Sequence, residues 1–357
     1  MSTVGIDNVA KYYGKVVALE NISMTIQDGE FFGLLGPSGG GKTTLLRSIA
    51  GFIQPDKGEI TIAGKEVSNI PINKRDIGMM FQNYALFPHL TVAENIGFGL
   101  SVRRRSKAEI TEQVRHLLQL VRLPGFEDRK PKQMSGGQQQ RIALARALST
   151  NPKVLLLDEP LGALDKKLRE EMQFELKQIQ RDVGITTVFV THDQEEALTL
   201  SDRIAIMNGG NVEQIGTPRE IYERPRTAFA ASFLGAANFF EGVVAGRGGG
   251  LTRVILADGQ SIFTSDQAPE GASVILAVRP EKFLAGSVAD SKPAEALNVI
   301  QGTVTAEVFT GNSVTYKVDA AGKPLMIYVQ NRTGERLEPH QPIVLTWRAD
   351  HTTLVAA

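Results

Sequence analysis

A glycine-rich stretch between an apolar run and a helical pattern constrains this chain most. Residues 31–51 read FFGLLGPSGGGKTTLLRSIAG and match the pattern G-x-x-x-x-G-K-[ST] at Gly36, Gly41, Lys42 and Thr43. Glycines let the backbone wrap closely, so that its N–H groups point at phosphate oxygens, and the start of the helix adds positive potential. We predict a nucleoside-triphosphate site in which Lys42 reaches the β- and γ-phosphates and the Thr43 hydroxyl binds Mg²⁺.

The stretches around this loop indicate the fold class. Up to about residue 240, short apolar runs such as FFGLLG and VLLLDE alternate with helical patterns, as in parallel strands covered by helices on both faces. One helical pattern spans residues 168–183 with apolar residues at steps of three and four, and Gly184 follows as its predicted cap. The strand pattern TTVFVT comes next. We therefore predict an α/β P-loop fold for this part of the chain.

The sequence after residue 240 has a different pattern. Short β-type runs, including SVILAVRP, VTYKV and IVLTW, are separated by turn signals such as Asp258-Gly259 and Gly311-Asn312. This pattern predicts a small barrel or sandwich of strands. The length of 357 residues also exceeds the usual size of one hydrophobic core. We predict two domains, 1–238 and 239–357.

Composition excludes several classes of protein. Thirty-nine basic residues balance thirty-nine acidic ones, whereas a surface dedicated to nucleic acid or acidic lipid needs a net positive field. The chain has no cysteine, which excludes disulfides and thiolate metal sites. No apolar run approaches the roughly eighteen residues of a membrane span, and the N-terminus lacks the pattern of a secretion signal. We expect a cytoplasmic protein that reaches a membrane only through a partner protein.

Two adjacent carboxylates end a second buried run. VLLLDEP, residues 154–160, places Asp158 and Glu159 at the C-terminal edge of a predicted parallel strand, where such sheets bind ligands. Burying two carboxylates without a role is costly. Asp158 is the candidate for holding the water shell of Mg²⁺, and Glu159 is the candidate general base for the attacking water. The competing interpretation is that one of them caps the turn before Pro160.

Two further side chains are weaker candidates. FVTHDQEEA, residues 189–197, ends a strand at His192 and opens a helix with a predicted capping box, Asp193-x-x-Glu196. A histidine at this edge could hydrogen-bond the γ-phosphate, although a lone histidine is more often structural. Gln82 lies between the glycine loop and the later motifs, where a neutral amide could bind Mg²⁺ or position water.

A second glycine pair begins another helix. QMSGGQQQR, residues 133–141, contains the capping box Ser135-x-x-Gln138, so one interpretation is simply a helix start. A helix start with the bare backbone of Gly136 and Gly137 is also an anion site, and the stretch has no lysine to complete it. We interpret this stretch as one half of an anion-binding site.

Six motifs occur in the same order as in the ATPase subunit of ABC transporters, which this chain resembles over about residues 4–235. They are GPSGGGKTT, FQNYALFPHLTV, MSGGQQQR, VLLLDEP, GALD and VTHD. The resemblance implies that Glu159, His192 and Lys42 are catalytic, and that Mg²⁺ binds Thr43, Gln82 and Asp158. It further implies that ATP contacts Tyr13, Gly36, Pro37, Ser38, Gly39, Gly40, Gly41, Lys42, Thr43, Thr44, Gln82, Ser135, Gly136, Gly137, Gln138, Asp158 and Asp165. Tyr12 stays open as the alternative to Tyr13 for stacking on adenine.

In that family two cassettes face each other head to tail, so the resemblance implies a homodimer in which residues 135–138 of one chain cover the ATP of the other. It also implies two transmembrane permease subunits, which contact a groove partly lined by residues 83–90, and an extracytoplasmic solute-binding protein. Nucleic acid is not an expected partner. The implied location is peripheral, at the cytoplasmic face of the inner membrane.

Residues 240–357, with AVRPE at 277–281, resemble the OB-fold-type accessory domain of importer ATPases. Stretches such as DKKLREEMQFELKQIQ and FLGAANFFEG are most similar to the polyamine branch, which also includes importers of 2-aminoethylphosphonate, and the chain resembles iron importer ATPases as well. The resemblance therefore implies ATP hydrolysis that drives import of a small, polyamine-type solute. The alternative is a soluble ABC ATPase of translation or DNA repair, which commonly has two cassettes or a long inserted coiled coil.

Overall fold

The structure, a computed structural model, describes residues 2–162, 164–286, 297–331 and 336–356. By packing, the chain divides into two compact units, Met1–Pro218 and Arg219–Ala357. Within the described residues, no helix is both long and apolar enough to cross a membrane.

The first unit contains ten strands and six complete helices in its described part. The strands are β1 Val4–Tyr13, β2 Val16–Ile26, β3 Phe31–Leu35, β4 Lys57–Ile62, β5 Lys65–Glu66, β6 Ile77–Met80, β7 Val154–Asp158, β8 Thr186–Thr191, β9 Arg203–Asn208 and β10 Asn211–Gly216. The helices are α1 Lys42–Ala50, α2 Val92–Val102, α3 Lys107–Leu120, α4 Gly136–Leu148, α5 Lys166–Val183 and α6 Gln194–Leu200.

A six-stranded sheet forms the centre of this unit, in the order β10-β9-β3-β8-β7-β6. Its strands are parallel except for β10, which pairs antiparallel with β9. Successive residues of β7 belong to two different hydrophobic clusters: Leu155 and Leu157 pack among helices α2 to α5, whereas Val154 and Leu156 pack toward α1 and the strands near the N-terminus. The sheet is therefore buried on both faces, which confirms the α/β fold predicted from the continuous apolar runs.

A second sheet of this unit was not predicted. Strands β2, β1, β4 and β5 form an antiparallel sheet in that order, and its inward side chains, such as Val4, Ile22 and Ile60, complete the cluster around α1. The predicted helix over residues 168–183 is confirmed by α5, whose cap Gly184 has the left-handed φ of 67°.

The second unit is built mainly from strands. They are β11 Asn238–Gly248, β12 Leu251–Leu256, β13 Ser261–Thr264, β14 Ser273–Val278, β15 Leu284–Gly286, β16 Leu297–Phe309, β17 Ser313–Ala320, β18 Lys323–Gln330, β19 Pro342–Arg348 and β20 Thr352–Val355. They form two five-stranded antiparallel sheets, β13-β12-β11-β14-β20 and β15-β19-β16-β17-β18. Trp347 packs between Phe240 and Phe283 in the shared core. The predicted small all-β domain of OB type is confirmed, and both turn signals connect successive strands.

The packing boundary after Pro218 precedes the boundary near residue 238 that composition predicts. Helix α7 (Pro218–Glu223) and helix α8 (Ala228–Phe233) have no strand pattern, but they are fastened to the second unit by the buried Arg279. Its guanidinium donates to the carbonyls of Tyr222 at 3.1 Å and Ala231 at 2.7 Å. A contact of this kind has no signal in local composition.

Candidate nucleotide site

Four adjacent parallel strands bring the predicted motifs to one edge of the central sheet. Strands β3, β8, β7 and β6 are neighbours in that order, and each is followed by one motif: the glycine loop, His192, the Asp158-Glu159 pair and Gln82, respectively. The register places Leu35 beside Thr191, Asp158 beside Val190 and Met80 beside Leu157. These carboxyl ends of parallel strands are where open α/β sheets bind ligands.

The glycine loop is shaped by two positions that exclude a side chain. A Cβ at Gly36 would overlap the backbone carbonyl of Met207, and Gly41, directly before α1, has a φ of 97°. Between them the N–H of Gly40 donates to the carbonyl of Pro37 at 3.1 Å, which curls the loop. The loop therefore opens onto the start of α1 with the backbone geometry of an anion site.

Lys42 lies inside this loop. Its ammonium donates to the carbonyls of Gly36 at 2.8 Å and Pro37 at 2.9 Å, and the side chain is buried. Burial lowers the pKa of Lys42, and the charge of Glu159 opposes that effect. The loop cation and the candidate base therefore belong to one electrostatic site.

The two carboxylates after β7 have different surroundings. Asp158 is 6% exposed and lies 3.7 Å from the Arg47 guanidinium of α1. Burial raises the pKa of Asp158, while the Arg47 charge lowers it. Glu159 adopts a φ of 47°, which is uncommon for a residue with a side chain. The turn between these residues sends their carboxylates to separate partners.

Glu159 lies between Gln82 and His192. The Gln82 Nε2 donates to Glu159 Oε2 at 2.7 Å, and His192 Nδ1 lies 3.3 Å from Glu159 Oε1. Two side chains, each from a different strand end, thus converge on the carboxylate of a third. A carboxylate held on both oxygens is oriented to accept a proton from a water in front of it.

Helix α6, which follows His192, begins differently from the prediction. Asp193 caps it as expected, accepting from the N–H groups of Glu195 and Glu196. The reciprocal half of the predicted capping box is wrong, because the Glu196 carboxylate accepts from the Thr191 hydroxyl at 2.7 Å and the Asp193 N–H donates to that same hydroxyl. The buried Glu196 thereby braces the strand end that carries His192.

The glycine pair at 136–137 lies on α4 and beside α5. The predicted capping box is confirmed: the Ser135 hydroxyl accepts from Gln138 N–H, and the Gln138 side chain accepts from Ser135 N–H. A Cβ on Gly137 would lie 3.2 Å from Leu168 and one on Gly136 3.5 Å from Leu164. The pair therefore permits close packing on Leu164 before α5 and on Leu168 in its first turn. Asp165 caps α5 by accepting from Leu168 N–H, while Ala163 of the GALD motif lies outside the described residues.

The remaining nucleotide candidates lie around the same loop. Ser38, Gly39, Thr43 and Thr44 belong to the glycine loop and the first turn of α1. At the end of β1, Tyr13 is 50% exposed with the Lys11 ammonium 5.5 Å from its ring, whereas Tyr12 is less exposed and faces Lys57.

Three arginines near these motifs are absent from the predicted site. Arg47 faces Asp158, Arg146 of α4 donates to the carbonyls of Tyr84 and Ala85, and Arg169 of α5 contacts Asp193. Each contact joins segments that are far apart in the sequence. For Arg47 the sequence gives one signal, its position five residues after Lys42 in the same helix.

Mg²⁺ fits the donors near the loop. Among the described residues, no three His, Cys, Asp or Glu side chains cluster as a ready metal cage. Mg²⁺ usually keeps several waters and binds through one or two carboxylates together with substrate phosphates. The buried Asp158 carboxylate, with the Thr43 hydroxyl and the Gln82 amide, matches a Mg²⁺ ion that enters with a nucleotide.

Both parts of the chain are similar to known protein families. The model of the ABC transporter family matches residues 19–162, and that of the TOBE domain matches residues 276–355. The spermidine/putrescine import ATP-binding protein PotA of Thermobifida fusca is 47% identical over 98% of this chain and 92% of its own length. PotA 1 of Pseudomonas aeruginosa is 46% identical over 99% and 96%, respectively.

Two solved structures are similar to 60% of this chain. The dimeric structure of MJ0796, a bacterial ABC transporter cassette, has a TM-score of 0.54 and 37% identity, over 60% of this chain and 99% of its own. The post-hydrolysis state of the same cassette, bound to ADP and Pi, has a TM-score of 0.54 and 36% identity over the same shares. This chain belongs to the ABC transporter family, as an ATP-binding subunit that hydrolyses ATP and carries a TOBE domain.

Proposed function

We propose that this chain energises the import of a polyamine-type solute. The relatives named as spermidine/putrescine import proteins align with nearly the whole chain, including the second unit. A soluble role in translation or DNA repair is not favoured, because the importer-type relatives account for both units. Peripheral attachment to the cytoplasmic face of the membrane, through permease subunits, follows from this role.

Hydrolysis rests on Glu159 as general base. The observation that carries this assignment is the carboxylate held between Gln82 and His192, beside the loop that contains Lys42. Glu159 accepts a proton from the attacking water, and His192 and Gln82 keep its two oxygens in place. Lys42 exchanges its loop carbonyls for phosphate oxygens when ATP binds, and this exchange compensates for its burial.

ATP binds the glycine loop, with Tyr13 stacking on adenine because its ring is the more exposed of the two candidates. Thr43, Gln82 and Asp158 would hold Mg²⁺, which would supply positive charge against the phosphates. Arg47, 3.7 Å from Asp158, is the protein cation that faces this carboxylate.

Two copies of the chain complete each other's sites. Residues 135–138 form a helix start with bare backbone and without a lysine, which suits the phosphate of an ATP bound to another chain. The related cassettes named above are dimers. ATP binding closes this dimer, and hydrolysis reopens it.

The permease subunits dock in a groove on the helical part of the first unit. The groove is about 740 Å³ in volume, and its floor includes Leu90, Ala93, Phe98 and Val114. Three acidic residues, Glu94, Glu127 and Asp128, and one basic residue, Arg115, also line it. With this acidic excess, the groove suits an amphipathic helix with basic flanks. The adjoining segment 83–90 begins next to Gln82 and so connects the groove with the site. A solute-binding protein outside the cell delivers the solute to the permease.

Replacing Glu159 with glutamine tests the catalytic and transport roles together. We expect Glu159→Gln to bind ATP normally, to lose turnover by a factor of about 10² to 10⁴, and to accumulate an ATP-bound dimer. Cells that carry this variant in place of the natural chain should lose uptake of labelled putrescine and spermidine.

Full hydrolysis by Glu159→Gln would contradict the base assignment. Lost hydrolysis with unchanged polyamine uptake would instead contradict the proposed solute, and uptake of labelled 2-aminoethylphosphonate and ferric iron in the same cells would then identify the alternative.

A further inference from the structure

Arg169, in the first turn of α5, contacts three residues in two segments of the chain. Its Nη2 donates to the Leu164 carbonyl at 3.0 Å, and its Nη1 donates to Asp193 Oδ2 at 2.8 Å. Its Nε lies 3.9 Å from Glu196 Oε1. One planar guanidinium therefore joins the loop before α5 to the start of α6.

The contact with α6 acts close to the catalytic pair. Asp193 follows His192 directly, and its second oxygen caps α6. Glu196 is only 2% exposed, and Arg169 is its nearby cation. Because a buried carboxylate needs a positive partner, Arg169 serves Glu196 as a nearby cation and holds Asp193, the residue directly after His192, by a hydrogen bond.

The contact with Leu164 acts on the other half-site of the same chain. The Leu164 side chain faces Gly136, beside the Ser135 cap. Contacts therefore run from the half-site at residues 135–138, through Leu164 and Arg169, to Asp193 beside His192.

We propose that Arg169 is a positioning residue, which sets the His192 ring against Glu159 and links this pair to the half-site at residues 135–138. It does not touch the substrate. The proposal rests on the catalytic roles assigned above to His192 and Glu159.

Three variants and one matched control test this role. Arg169→Met removes the guanidinium but keeps the stem, and Arg169→Lys keeps the charge without the planar fork. Asp193→Asn keeps a helix cap but removes one charge. Arg181→Met is the control, because Arg181 is exposed near the other end of the same helix.

We expect Arg169→Met to lower kcat for ATP by about 10-fold to 100-fold with KM changed less than about twofold, since a misplaced group affects the transition state more than binding. Arg169→Lys should recover little of this loss, and Asp193→Asn should repeat it in milder form. Arg181→Met should match the natural chain. Adding Arg169→Met to His192→Ala should cause no further loss.

A second readout does not depend on activity. The chain has five histidines, and the ring signals of His192 can be assigned in the NMR spectrum of ¹⁵N-histidine-labelled protein from their loss in His192→Ala. We expect those signals to shift in Arg169→Met and Asp193→Asn but not in Arg181→Met. Unmoved His192 signals, or multiplied losses in the double variant, would overturn the proposal, even if Glu159 proves to be the base. If a Glu159 variant still hydrolyses ATP, the catalytic role of Glu159 is wrong. If the His192 signals also shift in that variant, the contact between His192 and Glu159 is real and the positioning role of Arg169 stands.

Discussion

At the scale of single residues, contacts between distant chain segments hold the charged groups of the nucleotide site. Lys42, Asp158 and Glu159 stand next to strand patterns, so their positions at the sheet edge follow from the sequence. The contact of Arg47 with Asp158 and the left-handed φ of Glu159 depend on chain segments that meet only after folding. Gly36 of the glycine loop was recognisable in the sequence, and the structure explains why glycine is needed there: the Met207 backbone lies too close for a side chain.

Replacing Gly36 by alanine should distort the glycine loop. The added Cβ meets the Met207 carbonyl, so we expect Gly36→Ala to destabilise the fold by about 1–3 kcal/mol and to weaken ATP binding. Gly64→Ala is the control: Gly64 has a φ of 72° with open space around its Cβ position. It should cost about 1 kcal/mol and leave ATP binding unchanged. Urea unfolding and titration with a fluorescent ATP analogue measure both effects. Equal ATP affinity in the two variants would contradict the steric explanation.

At the scale of elements, the alternating apolar runs predicted the central sheet and its covering helices well. The antiparallel sheet β2-β1-β4-β5 was not predicted. Its central pairing, β1 with β4, joins distant residues such as Val4 and Ile62, whereas its outer pairs are hairpins that close at Tyr13–Val16 and Ile62–Lys65. Helix α4 shows what an element adds to a motif. It begins at Ser135, and near its other end Arg146 donates to the carbonyls of Tyr84 and Ala85 at 2.8 and 2.7 Å.

Removal of Arg146 should loosen the segment after Gln82. Tyr84 and Ala85 both have left-handed φ, at 60° and 47°, a conformation that persists only where surrounding contacts hold it. We expect Arg146→Met to accelerate deuterium exchange in residues 83–90, measured by mass spectrometry, while ATP affinity stays within about twofold because no ATP contact is removed. Arg181→Met again serves as the control. Unchanged exchange in residues 83–90 would show that other contacts hold this segment.

At the scale of the whole molecule, two domains were predicted from length and composition, and two units are present. The packing boundary differs from the compositional one because Arg279 holds two helices that carry no strand pattern. The homodimer is a prediction that depends on the lack of a lysine at residues 135–138. It is best tested with mixed dimers, in which the two halves of one site come from different variants.

A mixture of two inactive variants should recover activity. Ser135→Arg places a cation and bulk where the partner's phosphate would lie, so turnover should be lost although the monomer still binds ATP. Lys42→Ala should lose turnover through its own glycine loop. In a mixed dimer, the loop of the first variant meets the intact helix start of the second, which restores one site of two. Absence of any recovery in the mixture, with mixed dimers shown to form, would refute the shared site.

The order of strands in the central sheet has a consequence for how the protein is made. The ribosome delivers β3, β6, β7 and β8 in that sequence, but β8 takes its place between β3 and β7. A nascent chain that ends before residue 186 therefore leaves a gap in the middle of the sheet, and the glycine loop and Glu159 remain on separate fragments of it. ATP hydrolysis therefore requires that β8 has been synthesised, and a chain that ends before residue 186 cannot hydrolyse ATP.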